Sequence, residues 1–243
     1  VLDLGHLPAA PPVLDVVQAL VDKSLLRTLA PAEHVRYDLE EPYFGMYVSV
    51  REYARQKLQA SGTDFERAAE DRHGDHFASF GTDVFIEALS RHLGVSRRRS
   101  LTLEIDNIVA ACRRAIARGH AGTAVATYRA AWEVLELQGP ATLAASLGRE
   151  LLATPGLSDR LLLLALTTAA LPFQREGRMD EAKTCLDKAM LVCRHLPDRR
   201  SEGRILGQLG TLNLDQGQIE QKRIVVSAAL GRHREDGDRR PEC

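Results

Sequence analysis

A mainly α protein is what the sequence predicts, with a small helix–strand–strand–helix unit in front and a right-handed array of helical hairpins behind it. Three observations carry that expectation. Aromatic residues make up 5 % of the 243 positions while Ala, Leu and Arg dominate, which suits close-packed helices better than sheets. Apolar or small residues recur at three- and four-residue steps through the second half, as in Ala182, Leu186, Ala189 and Cys193. The chain also repeats itself at a period of forty. Gly177 matches Gly217, Ala189 matches Ala229, Arg194 matches Arg234, and Asp198-Arg199-Arg200 matches Asp238-Arg239-Arg240.

The elements follow in order. "VLDVVQALVDKSLLR", residues 13–27, reads as a helix with Val13, Val16, Val17, Leu20 and Val21 inward. It runs into a short strand over 24–29. "HVRYDL", residues 34–39, alternates as the partner strand, with Pro31 in the turn. "EEPYFGMY" is a connection, and "MYVSVREYARQKLQASG" is an amphipathic helix closed by Gly62. Residues 1–62 therefore read as a winged-helix-like unit, and 63–103 as a helical linker. From 104 to the end of the chain the array is expected, with helices near 104–118, 121–138, 141–153, 159–176, 180–195, 202–216 and 219–235. Pro172 lies inside one of them and is expected to kink it or to shift its start.

Certain positions recur around the glycines. Gly177 is followed after five residues by Ala182, after nine by Leu186 and after twelve by Ala189, and seven residues before it stands Ala170. Gly217 has Val226, Ala229 and Gly210 at the matching places, but Lys222 where a small residue belongs. Gly119 is followed by Ala124, Tyr128 and Ala131, and Gly139 by Ala144. This arrangement resembles tetratricopeptide repeats in their longer form. The resemblance implies a glycine turn inside each hairpin, a small residue where two helices touch, and a larger one filling the gap. It also implies a concave peptide-binding groove lined by outward positions of each first helix. In one unit these are Leu164, Thr167, Leu171, Gln174 and Arg175. In the next they are Arg204, Gly207, Thr211, Asp215 and Gln216. The polar members Gln174, Arg175, Arg204, Thr211, Asp215 and Gln216 are the expected groove residues.

A second resemblance covers nearly the whole chain. "ALVDKSLLR", "VRYDL", "SVREYARQKL", "RHGDHFASFG" and "LEIDNIVAACRRAIARG" occur in that order. Together they resemble the region after the nucleotide-binding core of bacterial STAND-type signalling ATPases, relatives of LuxR-type regulators. There a winged helix precedes a helical array. The chain has no GxxxxGK[ST] and no Gly-Lys pair, so it lacks the phosphate cradle of such ATPases. The expected function is a non-catalytic protein- or peptide-interaction and sensor module, a fragment of such a signalling ATPase or of a kinase-associated regulator, without cofactor. The alternative is a DNA-associated transcriptional regulator using the winged helix.

Other features are read against chemistry. The formal net charge is −1, without the basic surplus of a nucleic-acid binder. The helix before the wing carries Asp15 and Asp22, so nucleic acid is not an expected partner. His73 and His76 could both face a metal, but no third ligand follows at a recognisable spacing, so they are read as helix surface and packing. Arg97–Arg99 are read as solvated surface, and Glu104 and Asp106 as residues complementing a helix dipole. Cys112, Cys185, Cys193 and Cys243 form no CxxC and are read as reduced core residues of a cytoplasmic protein. No membrane partner is expected. The last hairpin reads as uncapped, so self-association through it and a fragment cut at the C-terminus are expected.

Overall fold

A computed structural model of the chain describes residues 10–29, 43–91, 94–196 and 199–215, and these are mainly helical. The front unit holds α1 (Val13–Asp22), β1 (Arg27–Leu29), β2 (Tyr43–Gly45) and α2 (Val48–Ala60). The first helix ends five residues earlier than its apolar pattern suggests. Ser24 adopts a left-handed φ of 56°, and the amides of Leu25 and Leu26 both fold back onto the Leu20 carbonyl. The strand that follows is confined to Arg27–Leu29. Its antiparallel partner is β2, with Thr28 opposite Phe44. That partner lies in the segment read as a connection; residues 34–39 are outside the described residues. No residue of α1 or α2 is buried.

Gly62, with φ 102°, turns the chain into α3 (Thr63–Ala78). A single 3₁₀ turn (Ser79–Gly81), α4 (Asp83–Ala88) and α5 (Gly94–Leu103) follow. These helices share a core with the helices behind them. Phe77, Leu89 and Leu101 are buried together with Ile108, Ala131, Trp132 and Leu135. Gly81 makes the contact possible. A Cβ there would stand 1.7 Å from the Ala126 carbonyl oxygen, so only glycine lets the turn lie on that backbone.

The array consists of α6 (Ile105–Arg118), α7 (Ala121–Gln138), α8 (Ala141–Leu152), α9 (Asp159–Arg175), α10 (Met179–Cys193) and α11 (Arg199–Asp215). Each end lies within three residues of the position read from periodicity. Pro172 is buried in the last turn of α9, whose start is where the pattern put it. So close to the end, its missing N–H costs the helix a single internal bond. Residues 219–235, with Lys222, and Cys243 lie outside the described residues.

Two of the turns close in the same way. Gly119 and Gly177 take φ 70° and 73°. Gly119 N–H donates to the Ile116 carbonyl and His120 N–H to Ala115. Gly177 N–H donates to Gln174 and Arg178 N–H to Phe173. Both are Schellman closures, in which a left-handed residue satisfies the last helical carbonyls. Ala124 and Ala182, Tyr128 and Leu186, Ala131 and Ala189 follow at equal spacing, and all are buried to 1 % exposure or less. The small residues let helix backbones approach, and the large ones fill the space that remains.

Each array helix packs on the next, and α7 also packs on α9 and α6 on α8. Gln208 of α11 donates to the Thr167 carbonyl of α9 at 3.3 Å, and Arg149 of α8 reaches Glu181 of α10 at 3.3 Å. One layer is thus α7, α9 and α11; the other is α6, α8 and α10. Both Gly119 and Gly177 are read as turns inside equivalent hairpins, which would make α6 the counterpart of α9. Packing sets α7 beside α9 instead, because α8 separates the two hairpins and shifts their phase.

Candidate interaction surface

Sequence reasoning places the groove on α9 and α11, and these two helices are neighbours in one layer. Their residues have different fates. Thr167 is buried, its hydroxyl donating to the Leu163 carbonyl at 2.9 Å and its own carbonyl receiving Gln208. It joins the two helices rather than facing solvent. Leu164 and Leu171 are half-buried against the core. Gln174 is half-buried and Arg175 exposed at the end of α9, where the Arg175 guanidinium lies 3.6 Å from Glu136 of α7. On α11, Arg204, Gly207 and Thr211 are exposed and recur at three- and four-residue steps, which is one helical stripe. Arg204 donates to the Ser201 hydroxyl at 3.1 Å, and the Thr211 hydroxyl donates to the Gly207 carbonyl at 3.2 Å. Asp215 is the last residue of α11; its side chain and Gln216 lie outside the described residues.

The surface has members that sequence reasoning missed. Arg129 of α7 is only 8 % exposed, and its guanidinium donates to the Gly81 carbonyl at 2.8 Å and to Asp83 at 2.7 Å. Asp83 also lies 3.8 Å from Arg160 of α9, and Glu87 lies 3.2 Å from Arg200 of α11. Arg160 and Arg200 stand one forty-residue period apart. That spacing was the available signal, hidden because both lie in first turns rather than at the template positions.

Two further concavities flank the array. A cleft of about 230 Å³ between α3, α6 and the start of α7 is lined by Glu70, Asp71, Arg114, Arg118 and His120. Its charges are paired internally: Arg118 bonds Glu70 and, at 3.2 Å, Asp71. Beside it, an Arg114 guanidinium N–H donates to His73 Nδ1 at 2.9 Å. Burial, and then the Arg114 charge, lowers the His73 pKa to about 4, so the ring is a neutral acceptor near neutral pH. His76 stacks edge-on against Phe77 and Phe80. Among the described residues no group of three or more His, Cys, Asp or Glu side chains is placed to hold a metal ion. The second concavity, about 360 Å³, is an apolar groove formed by Leu152, Leu162, Leu166, Cys185 and Val192.

Cys112, Cys185 and Cys193 are buried, the first two as free thiols. Burial pushes Cys112 up to about 12 and Cys185 up to about 11, so near neutral pH neither offers a reactive thiolate. No described helix is long and apolar enough to cross a membrane. The chain matches no family model, no curated protein and no solved structure.

Proposed function

We propose that this chain is a non-catalytic module that binds a protein or peptide, carried on a right-handed solenoid of tetratricopeptide type behind a winged-helix-like unit. On this reading it belongs to the sensor part of a cytoplasmic bacterial signalling ATPase, a role that rests on the resemblance of its ordered motifs. The observation that carries the binding role is the layer itself. The neighbouring helices α9 and α11 carry exposed or half-buried polar and charged groups, Gln174 and Arg175 on one and Arg204 and Thr211 on the other. The Thr167–Gln208 bond ties those helices together. A pair of helices tied together and lined with polar side chains suits an extended or helical peptide, because little ordering remains to be paid on binding.

The reading is tested by selecting a ligand from a random peptide library and mapping it by hydrogen exchange. Protection within 159–175 and 199–215, together with a loss of at least tenfold in affinity on Thr211→Arg, is the expected result. Protection confined to the apolar groove at Leu152 and Val192, with none in 199–215, would overturn it.

A further inference from the structure

Within the second layer α6 packs on α8, but α8 and α10 do not pack on each other in the same way. They are joined by the Arg149–Glu181 contact at 3.3 Å. Beyond that contact along both helices, the apolar groove of about 360 Å³ opens between them. Its floor belongs to α9, where Leu162 and Leu166 stand one turn apart, and to the buried Cys185 of α10. Cys185, Lys188 and Val192 follow at three- and four-residue steps, so they line about 10 Å of one face of α10. Leu152, the last residue of α8, forms the opposite side.

The charge of this groove is as uneven as its polarity. Among the described lining residues Lys188 carries the only charge, and it forms no ion pair with any described residue. The Cys185 thiol adds no anion near neutral pH, because burial pushes it up to about 11. Lys188 is exposed although it lines the groove, so its carbon stem forms wall while its ammonium stays in water at the mouth. Leu191, also on the rim, is 58 % exposed and leaves apolar surface in water beside it. Apolar walls with one placed polar group are the makeup of a small-ligand site, the walls supplying affinity and the polar group orientation.

We propose that the groove between α8 and α10 binds a medium-chain aliphatic monocarboxylate, its chain lying on Leu162 and Leu166 and its carboxylate at the Lys188 ammonium. A single cation suits a singly charged head. A phosphate monoester carries more charge and more acceptors than one lysine satisfies. A cationic amphiphile meets the same walls but is repelled at the mouth. The bound chain fills the gap between α8 and α10 and covers Leu191. The site uses no described residue of α11, so it stands apart from the peptide surface and does not rest on that reading.

The test is isothermal titration calorimetry of the full chain with decanoate, hexanoate and decyltrimethylammonium, each below its micelle concentration. Decanoate is expected to bind one to one, at least about tenfold tighter than hexanoate because its further methylenes leave water. It is also expected to bind about fivefold tighter than decyltrimethylammonium. The exposed variant Lys188→Gln should weaken decanoate about threefold, the scale of a solvated ion pair, and leave decyltrimethylammonium no weaker. Leu191→Glu, also at an exposed position, sets a carboxylate on the rim and should cost decanoate at least about tenfold. Circular dichroism shows whether that variant melts as the native chain does; should it melt lower, Lys188→Gln with the two head groups decides. Equal binding of decanoate and hexanoate, equal binding of the two head groups, or native affinity for decanoate in Lys188→Gln overturns the site.

Discussion

The hairpins turning at Gly119 and Gly177 use the same backbone device and bury the same kinds of residue at the same offsets, yet they differ in what fills the gap. In the second hairpin Leu186 packs without a polar atom to satisfy. In the first, Tyr128 is fully buried, and its hydroxyl has no hydrogen-bond partner among the described residues. The space for that ring comes from Gly148 of α8, where a Cβ would stand 2.6 Å from the Tyr128 hydroxyl oxygen and 3.2 Å from the Ala169 Cβ. The first hairpin is further loaded from outside by α3, whose His73 and Glu70 meet α6. A turn motif therefore sets how two helices meet, while the neighbours set what the meeting costs.

Breaking both hairpins at their closest point should have the largest effect. Ala124→Arg and Ala182→Arg each overpack a position of zero exposure and bury a charge, costing roughly 3 kcal/mol or more. Thermal melting followed by circular dichroism should fall by about 10 °C for either. An unchanged melting temperature for one of them would show that this hairpin does not close at its alanine.

Gly148→Ala sharpens the difference. It should destabilise by roughly 1–3 kcal/mol through the Tyr128 side chain. Combining it with Tyr128→Phe should recover part of that loss, because the hydroxyl is the nearest clashing atom. Strict additivity in the double-mutant cycle would mean that the two positions do not touch. The turns themselves should respond alike. Gly119→Ala and Gly177→Ala meet no atom within 4 Å, so each should cost only the strain of a left-handed alanine, about 1 kcal/mol in urea unfolding. Unequal costs would show that the two closures are not equivalent.

A pH effect probes the contact between α3 and α6. The folded pKa of His73, about 4, is below the ordinary histidine value, so the unfolded chain takes the proton first. The stability it confers is complete above about 6.5 and is lost as pH falls toward 4. Hydrogen exchange at pH 7 and pH 5 should show α6 losing protection relative to α10, and His73→Gln should remove the difference. Equal behaviour of the two helices in the native chain would detach His73 from the contact.

Much of the array was legible because helical periodicity and glycine turns are local. The ends of α6 to α11 follow from apolar spacing, and the buried alanines from their distance to a glycine. The front of the chain was less legible. The helix α1 has a stronger apolar stripe than α9, yet it buries no residue, whereas α9 buries nine. A stripe makes burial possible, and only a packed neighbour completes it. The pairing of Tyr43–Gly45 with β1 was missed because a three-residue strand carries almost no alternation to read, and this one stands within a segment rich in turn residues. On the candidate surface, exposure of Arg175, Arg204 and Thr211 is what outward helical positions suggest, while Thr167 faces inward because its backbone carbonyl serves the neighbouring helix.

By itself, then, the sequence determined the mainly helical class, the lengths of six consecutive helices and the residues at which their turns close. All of these depend on interactions between residues a few positions apart. Tertiary structure alone decided which helices share a layer and that Arg129, Arg160 and Arg200 converge on one short helix. It also decided that a glycine at 81 is needed for a turn to rest on the backbone of α7. Those contacts join residues tens of positions apart, and a spacing along the chain cannot encode them until packing has chosen which faces meet.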